Sequence, residues 1–174
     1  MTIDQVKQLV LQKAAQYGID PGVAYAQMER ESGWRQDVIF GPSVGGAGER
    51  GISQFTPETW ATYGSGPHTN AYDPNLALDA WGGYMTYLLG LFGGDYQKAL
   101  TGYNGGPGHL TNPEKYRPPS TAALEYGQTL AAYRGSGADS GSRPDFLSVA
   151  QGGEFPWLIF AGVVAVGLFL AFRD

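Results

Sequence analysis

Three dipeptides of one kind constrain this chain more than any other feature. Asp20-Pro21, Thr56-Pro57 and Asp73-Pro74 each place an N-capping side chain before proline. Proline fits the first helical position, where its missing N–H costs nothing, so each pair marks a helix start. Ala24, Met28 and Glu31 then recur at helical spacing, with Val23 and Gln27 beside them, until Ser32-Gly33 stops the pattern. Gly64 closes the short helix begun at Thr56. The helix begun at Asp73 runs through about Phe92, with Leu76, Ala80, Tyr84, Leu88 and Leu91 as its expected buried stripe. An earlier helix is marked by the capping-box spacing of Thr2 and Gln5 and by Ile3, Val6, Val10, Ala14 and Tyr17. Asp95 caps another, ending near Tyr103, and residues 120–134 read as the last. No segment keeps the two-residue alternation of a half-buried strand. The expected class is all-α, with residues 34–50 and 105–119 as loops.

Composition narrows the partners. The net charge is −5 and no basic run is present, which argues against nucleic acid. The chain has no cysteine, so thiolate metal sites, disulfides and cysteine nucleophiles are excluded. His68 and His109 lie far apart in Gly/Pro-rich stretches and read as solvated loop residues, so no metal or cofactor is expected.

The domain organisation read from the chain has three parts. Residues 1–134 form the helical domain. Residues 135–154 are small and polar, a Gly/Ser-rich flexible linker. Residues 155–172, FPWLIFAGVVAVGLFLAF, carry no charge. As a helix they would span about 27 Å, enough for a hydrocarbon core, with Trp157 at an interface. The expectation is a transmembrane anchor at the C-terminal side, with lipid as a second partner.

Glu31 is the first candidate for chemistry. It shares a face with Ala24 and Met28, so it should point inward from the last turn of its helix. Desolvation there raises a carboxyl pKa, and the negative end of the helix acts in the same direction. A carboxylic acid still protonated near neutral pH is suited to protonating a glycosidic oxygen. A boundary glutamate paired with Arg30 or Arg35 has the same spacing.

Three clusters separate these readings: Glu31-Ser32-Gly33-Trp34, then Gly51-Ile52-Ser53-Gln54-Phe55-Thr56-Pro57, then Gly102-Tyr103-Asn104-Gly105-Gly106-Pro107-Gly108. In this order they resemble the lytic transglycosylase family with the goose-lysozyme-like fold, the SLT domain, which carries Glu-Ser at a helix end, Gly-Leu-Met-Gln-x-x-Pro and Ala-Tyr-Asn-x-Gly. The resemblance covers about residues 20–134. It implies a lysozyme-like helical domain with Glu31 as catalytic acid/base. It also implies substrate binding by Ser32, Gln54, Tyr103 and Asn104. Ser53 stands where the family has Met, and Gly102 where it has Ala. Glu31 and Gln54 are more widely separated than is usual, so the 34–50 loop should be expanded. The family's last helix bears a cleft tyrosine; Tyr126 in Ala122-Ala123-Leu124-Glu125-Tyr126 is the best positional match, with Tyr116 as a competitor.

The implied reaction is cleavage of the β-1,4 bond between N-acetylmuramic acid and N-acetylglucosamine in peptidoglycan glycan strands. Glu31 would protonate the bridging oxygen, then take the proton of the muramic C6 hydroxyl as that oxygen closes a 1,6-anhydro ring. Two alternatives stay open. A water-using muramidase would want a second carboxylate, for which Asp37 or Glu49 are candidates, although both read first as solvated loop charges. A catalytically silent glycan-binding membrane protein would keep the fold alone. Trp34, beside the catalytic helix end, reads equally as a sugar platform or as core filler.

Delivery is a separate expectation. The first eighteen residues lack the pattern of a signal peptide, yet peptidoglycan lies outside the cytoplasmic membrane. A bacteriophage enzyme carried with a virion membrane or delivery device, acting on the wall as the genome passes, avoids that difficulty; a host cell-envelope location is the other possibility. The linker would give an anchored domain a reach of roughly 25 Å.

Overall fold

The protein is described by a computed structural model over residues 1–136. Its elements are α1 (Ile3–Tyr17), α2 (Pro21–Ser32), α3 (Gln36–Ile39), α4 (Pro57–Tyr63), a 3-10 turn (His68–Tyr72), α5 (Pro74–Leu91), α6 (Tyr96–Gly105), α7 (Gly108–Thr111) and α8 (Thr121–Ala131). Among the described residues there is no strand, only an isolated bridge between Arg50 and Phe55.

The caps read from sequence shape these helices. Thr2 and Gln5 form a reciprocal capping box on α1, and Gly18 ends that helix in the left-handed conformation. Asp20, Thr56 and Asp73 each accept backbone N–H groups at the starts of α2, α4 and α5. The segments expected as loops contain α3 and α7, and the 3-10 turn lies between the helices begun at Thr56 and Asp73. Each is too short for an apolar period to show.

Helix α5 is the spine. It packs against α1, α6, α4 and the 3-10 turn. Ala77, Leu78, Trp81, Met85 and Leu88 are fully buried along it. The expected stripe is thus partly corrected. Ala80, Tyr84 and Leu88 are buried, but Leu76 is only half-buried and Leu91 is exposed. Several neighbours surround α5, so its buried surface is wider than one stripe, and its last turn leaves the core. Tyr17 of α1 lies against α5 where Gly82 leaves room, and its hydroxyl donates to Asp79 at 3.0 Å.

A second packing unit carries much of the site. Helices α6 and α8 form the most extensive helix pair, closest at Gly127, where an added Cβ would lie 2.1 Å from Thr101 Oγ1 and 2.5 Å from the Gln97 carbonyl. At the other end, Gly135 N–H donates to Asp20 Oδ2 at 2.8 Å, so the first residue of the expected linker is tied to the domain. Among the described residues, no helix is long and apolar enough to cross a membrane. The anchor expected at 155–172, and nearly all of the linker expected at 135–154, lie outside the described residues.

Candidate active site

Glu31 occupies the last turn of α2, one residue before its end. Ser32 shapes that end. Its buried hydroxyl donates to the Met28 carbonyl at 2.8 Å and accepts from Trp34 N–H at 3.1 Å. Gly33 then turns the chain away with φ of 57°. The resulting C-terminus presents Glu31 to a cleft lined by Gln54, Phe55, Thr56, Thr59, Tyr84, Tyr103 and Asn104.

The loop holding Gln54 is tightly determined. Arg50 N–H donates to the Phe55 carbonyl at 3.1 Å, closing a small loop between them. Gly51 turns with φ of 72°, and a Cβ there would overlap the Ala71 carbonyl oxygen at 1.7 Å, so only glycine fits. Gln54 itself has φ of 47°, a left-handed conformation that costs a non-glycine residue energy. Its side-chain Nε2 donates to the Gly51 carbonyl at 2.8 Å. Ser53, where the resembled family has Met, is buried and donates to the Ala77 carbonyl of α5 at 3.1 Å. Tyr103 Oη donates to the Ser53 carbonyl at 2.7 Å, fixing α6 to the same loop.

The electrostatics centre on Glu31. Tyr126 of α8 is buried, and its hydroxyl donates to Glu31 Oε1. Burial pushes the Glu31 carboxyl up to about 7. The Tyr126 bond and the Arg30 charge oppose that shift, and the Glu49 charge adds to it. Burial first, then the Glu31 charge, holds the Tyr103 and Tyr126 phenols protonated. The two rings are parallel, 6.4 Å between centres. Gln27 completes the chain of contacts: it accepts from Trp81 Nε1 at 3.0 Å and lies against Tyr126. An acid that is half ionised near neutrality, with one oxygen fixed by a phenol, can give up a proton and take one back.

The cleft thus brings together Glu31, Gln54, Tyr103 and Asn104, with Tyr126 in contact with Glu31. Ser32 is not among the lining residues; both its hydrogen bonds serve the helix end, which corrects its expected place. Tyr116 packs on His109, 5.8 Å between ring centres, so Tyr126 is the tyrosine at Glu31. Trp34 takes the second of its two readings. Its ring lies 4.9 Å from that of Tyr25, under the Lys7 ammonium, so it fills a seam between α1 and α2 instead of lining the cleft. Asp37 is paired with Arg35 at the surface. Glu49 is not a solvated loop charge: it is only 8% exposed, and its Oε2 accepts Ala47 N–H at 2.8 Å. His68 and His109 bond the Phe55 and Arg117 carbonyls, and among the described residues no cluster could hold a metal ion. Sequence reading missed Phe55, Thr59 and Gln27 as site residues and placed Tyr84 only in the core. Gln27 had a signal, since it stands four residues before Glu31 on one helix face.

The chain matches the Transglycosylase SLT domain family over residues 8–124. It belongs to that family. The SLT match takes in Glu31, Gln54, Tyr103 and Asn104 and ends two residues before Tyr126. The peptidoglycan transglycosylase gp16 of Escherichia phage T7 is 33% identical over 109 residues, which are 60% of this chain and 8% of that protein. The X-ray structure of an inactive mutant of the lytic transglycosylase Slt from Pseudomonas aeruginosa aligns with a TM-score of 0.58 at 19% identity. The alignment covers 72% of this chain and 23% of that one. The shared fold is the helical, lysozyme-like one. The chain spans a small part of both of these proteins.

Proposed function

We propose that this SLT domain is a peptidoglycan lytic transglycosylase that cuts between N-acetylmuramic acid and N-acetylglucosamine. The observation carrying the proposal is the Glu31 carboxyl, raised to about 7 and facing a cleft with Gln54, Tyr103 and Asn104. Glu31, protonated, donates to the bridging oxygen as the glycosidic bond breaks. Positive charge at the anomeric carbon is met by the sugar's own acetamido oxygen, so no protein nucleophile is needed. Glu31, now a carboxylate, removes the proton of the C6 hydroxyl as that oxygen bonds to C1. The proton count closes, and a 1,6-anhydromuramic end results. Tyr126 holds Glu31 in place through both steps, while Gln54 and Asn104 offer amides to the sugars.

Purified sacculi digested with the protein and examined by mass spectrometry test this reading. Anhydromuramic ends are expected. Reducing ends throughout would point to water as the nucleophile. That second reading has one observation in its favour, the buried Glu49 carboxylate whose charge reaches Glu31. A folded protein with no action on sacculi would leave the third reading, a silent glycan binder.

The similarity to a peptidoglycan transglycosylase of phage T7 supports a phage setting for this domain, and the role proposed there is opening the wall as the genome enters. In this reading, residues 155–172 anchor the enzyme to a membrane and 135–154 tether it. Probing purified virions for the chain tests the localisation; its presence only in an uninfected bacterial envelope would reject it.

A further inference from the structure

The cleft beside Glu31 has walls on α4 and α5. Thr56 and Thr59 line it from α4, and Tyr63 stands one turn further along the same face. Tyr84 lines it from α5, and Tyr87 follows three residues later on the same side. The rings form a continuous series. Tyr103 lies 5.4 Å from Tyr84, and Tyr84 lies 4.7 Å from Tyr63. Tyr87 is 6.4 Å from Tyr84, with the planes 12° apart, and 6.3 Å from Tyr63. The series begins at Tyr103, which stacks on the tyrosine that holds Glu31, and it ends at the surface.

Packing of α4 on α5 accounts for Tyr84, which is buried. It does not account for Tyr87. That side chain is 48% exposed, and Leu91, one turn on, is 43% exposed. The Tyr87 ring is held against two others, Tyr63 and Tyr84, so a ligand laid on its exposed face meets little entropy cost from that side chain. Tyrosine offers an apolar face and a polar tip, which matches a pyranose with its C–H face and rim of hydroxyls.

We propose that Tyr63 and Tyr87 form a distal glycan subsite, binding an N-acetylated sugar of the same strand beyond the two that flank the scissile bond. This deepens the glycan-cleaving reading and rests on it. The platform would favour long strands over fragments, because only a long strand reaches it while occupying the catalytic position. Tyr63 and Tyr87 are positioning residues of the substrate, remote from the bond that breaks.

Calorimetry on the full chain carrying Glu31→Gln tests the subsite, with chitobiose and chitohexaose as uncleaved probes. The hexamer should bind more tightly than the dimer. Tyr87→Ala should shrink that advantage about three- to tenfold, and Tyr63→Ala should act in the same direction. Tyr87→Trp, which keeps the aromatic face, should retain it. Circular dichroism confirms that each variant is folded. An unchanged hexamer advantage in folded Tyr87→Ala and Tyr63→Ala overturns the subsite while leaving the catalytic reading intact. Failure of both oligomers to bind folded Glu31→Gln, together with no release of fragments from sacculi by the unaltered chain, overturns both.

Discussion

Glu31 sits where two demands meet: it must stay protonated long enough to donate, yet ionise readily enough to accept. Burial raises its pKa, and the nearby Glu49 charge raises it further, while Tyr126 and Arg30 restrain the shift. As general acid it is active below its pKa, so kcat/KM on sacculi should fall as pH rises through about 7. Replacing Glu49 with Gln removes a negative charge, which lowers the Glu31 pKa and moves that falling limb to lower pH. A pH–rate profile of both proteins checks the sign; a limb that stays in place or moves up would contradict the electrostatic account. Ser53 offers a smaller test. Its buried bond to Ala77 is worth about 0.5–1.5 kcal/mol, so Ser53→Ala should lower the urea midpoint by a corresponding amount.

At the scale of elements, the site depends on how closely α6 and α8 approach, since α6 brings Tyr103 and Asn104 while α8 brings Tyr126. Gly127→Ala would drive a methyl into Thr101 and the Gln97 carbonyl. Overpacking of this kind costs about 1–3 kcal/mol, and here it would also displace Tyr126 from Glu31. Stability in urea and activity should therefore fall together, and full activity in a destabilised Gly127→Ala protein would show that the α6–α8 spacing does not set the site. The same elements show what sequence can carry. Starts at Asp20, Thr56 and Asp73 were legible because a cap is a local event. The helices of one turn, α3 and α7, were not, because a single turn has no period. Tyr84 was legible as core and not as cleft wall. Its role depends on α4 and α6 meeting α5 there, which is a fact of tertiary packing. Trp34 was ambiguous for the same reason: nothing local decides whether a helix end turns its indole toward the cleft or toward α1.

For the whole molecule, the acid is a liability to stability. A carboxyl whose folded pKa lies near 7, against an ordinary 4.5, favours folding fully only below the lower value, and that contribution is lost as pH rises through the higher one. Glu31→Gln does not titrate, and its amide oxygen can still accept from Tyr126. The variant should match the unaltered protein at pH 4 and exceed it at pH 8 by on the order of 1–2 kcal/mol, discounted for the open side of the cleft. Thermal melts across that range would show it, and an advantage that grew toward low pH would contradict the assignment. The measurement that bears most directly on the central claim is the rate at which the same folded Glu31→Gln protein solubilises purified sacculi. Loss of proton transfer alone should lower it by about a hundred- to ten-thousand-fold. A rate within a few fold of the unaltered protein would mean that Glu31 is not the acid.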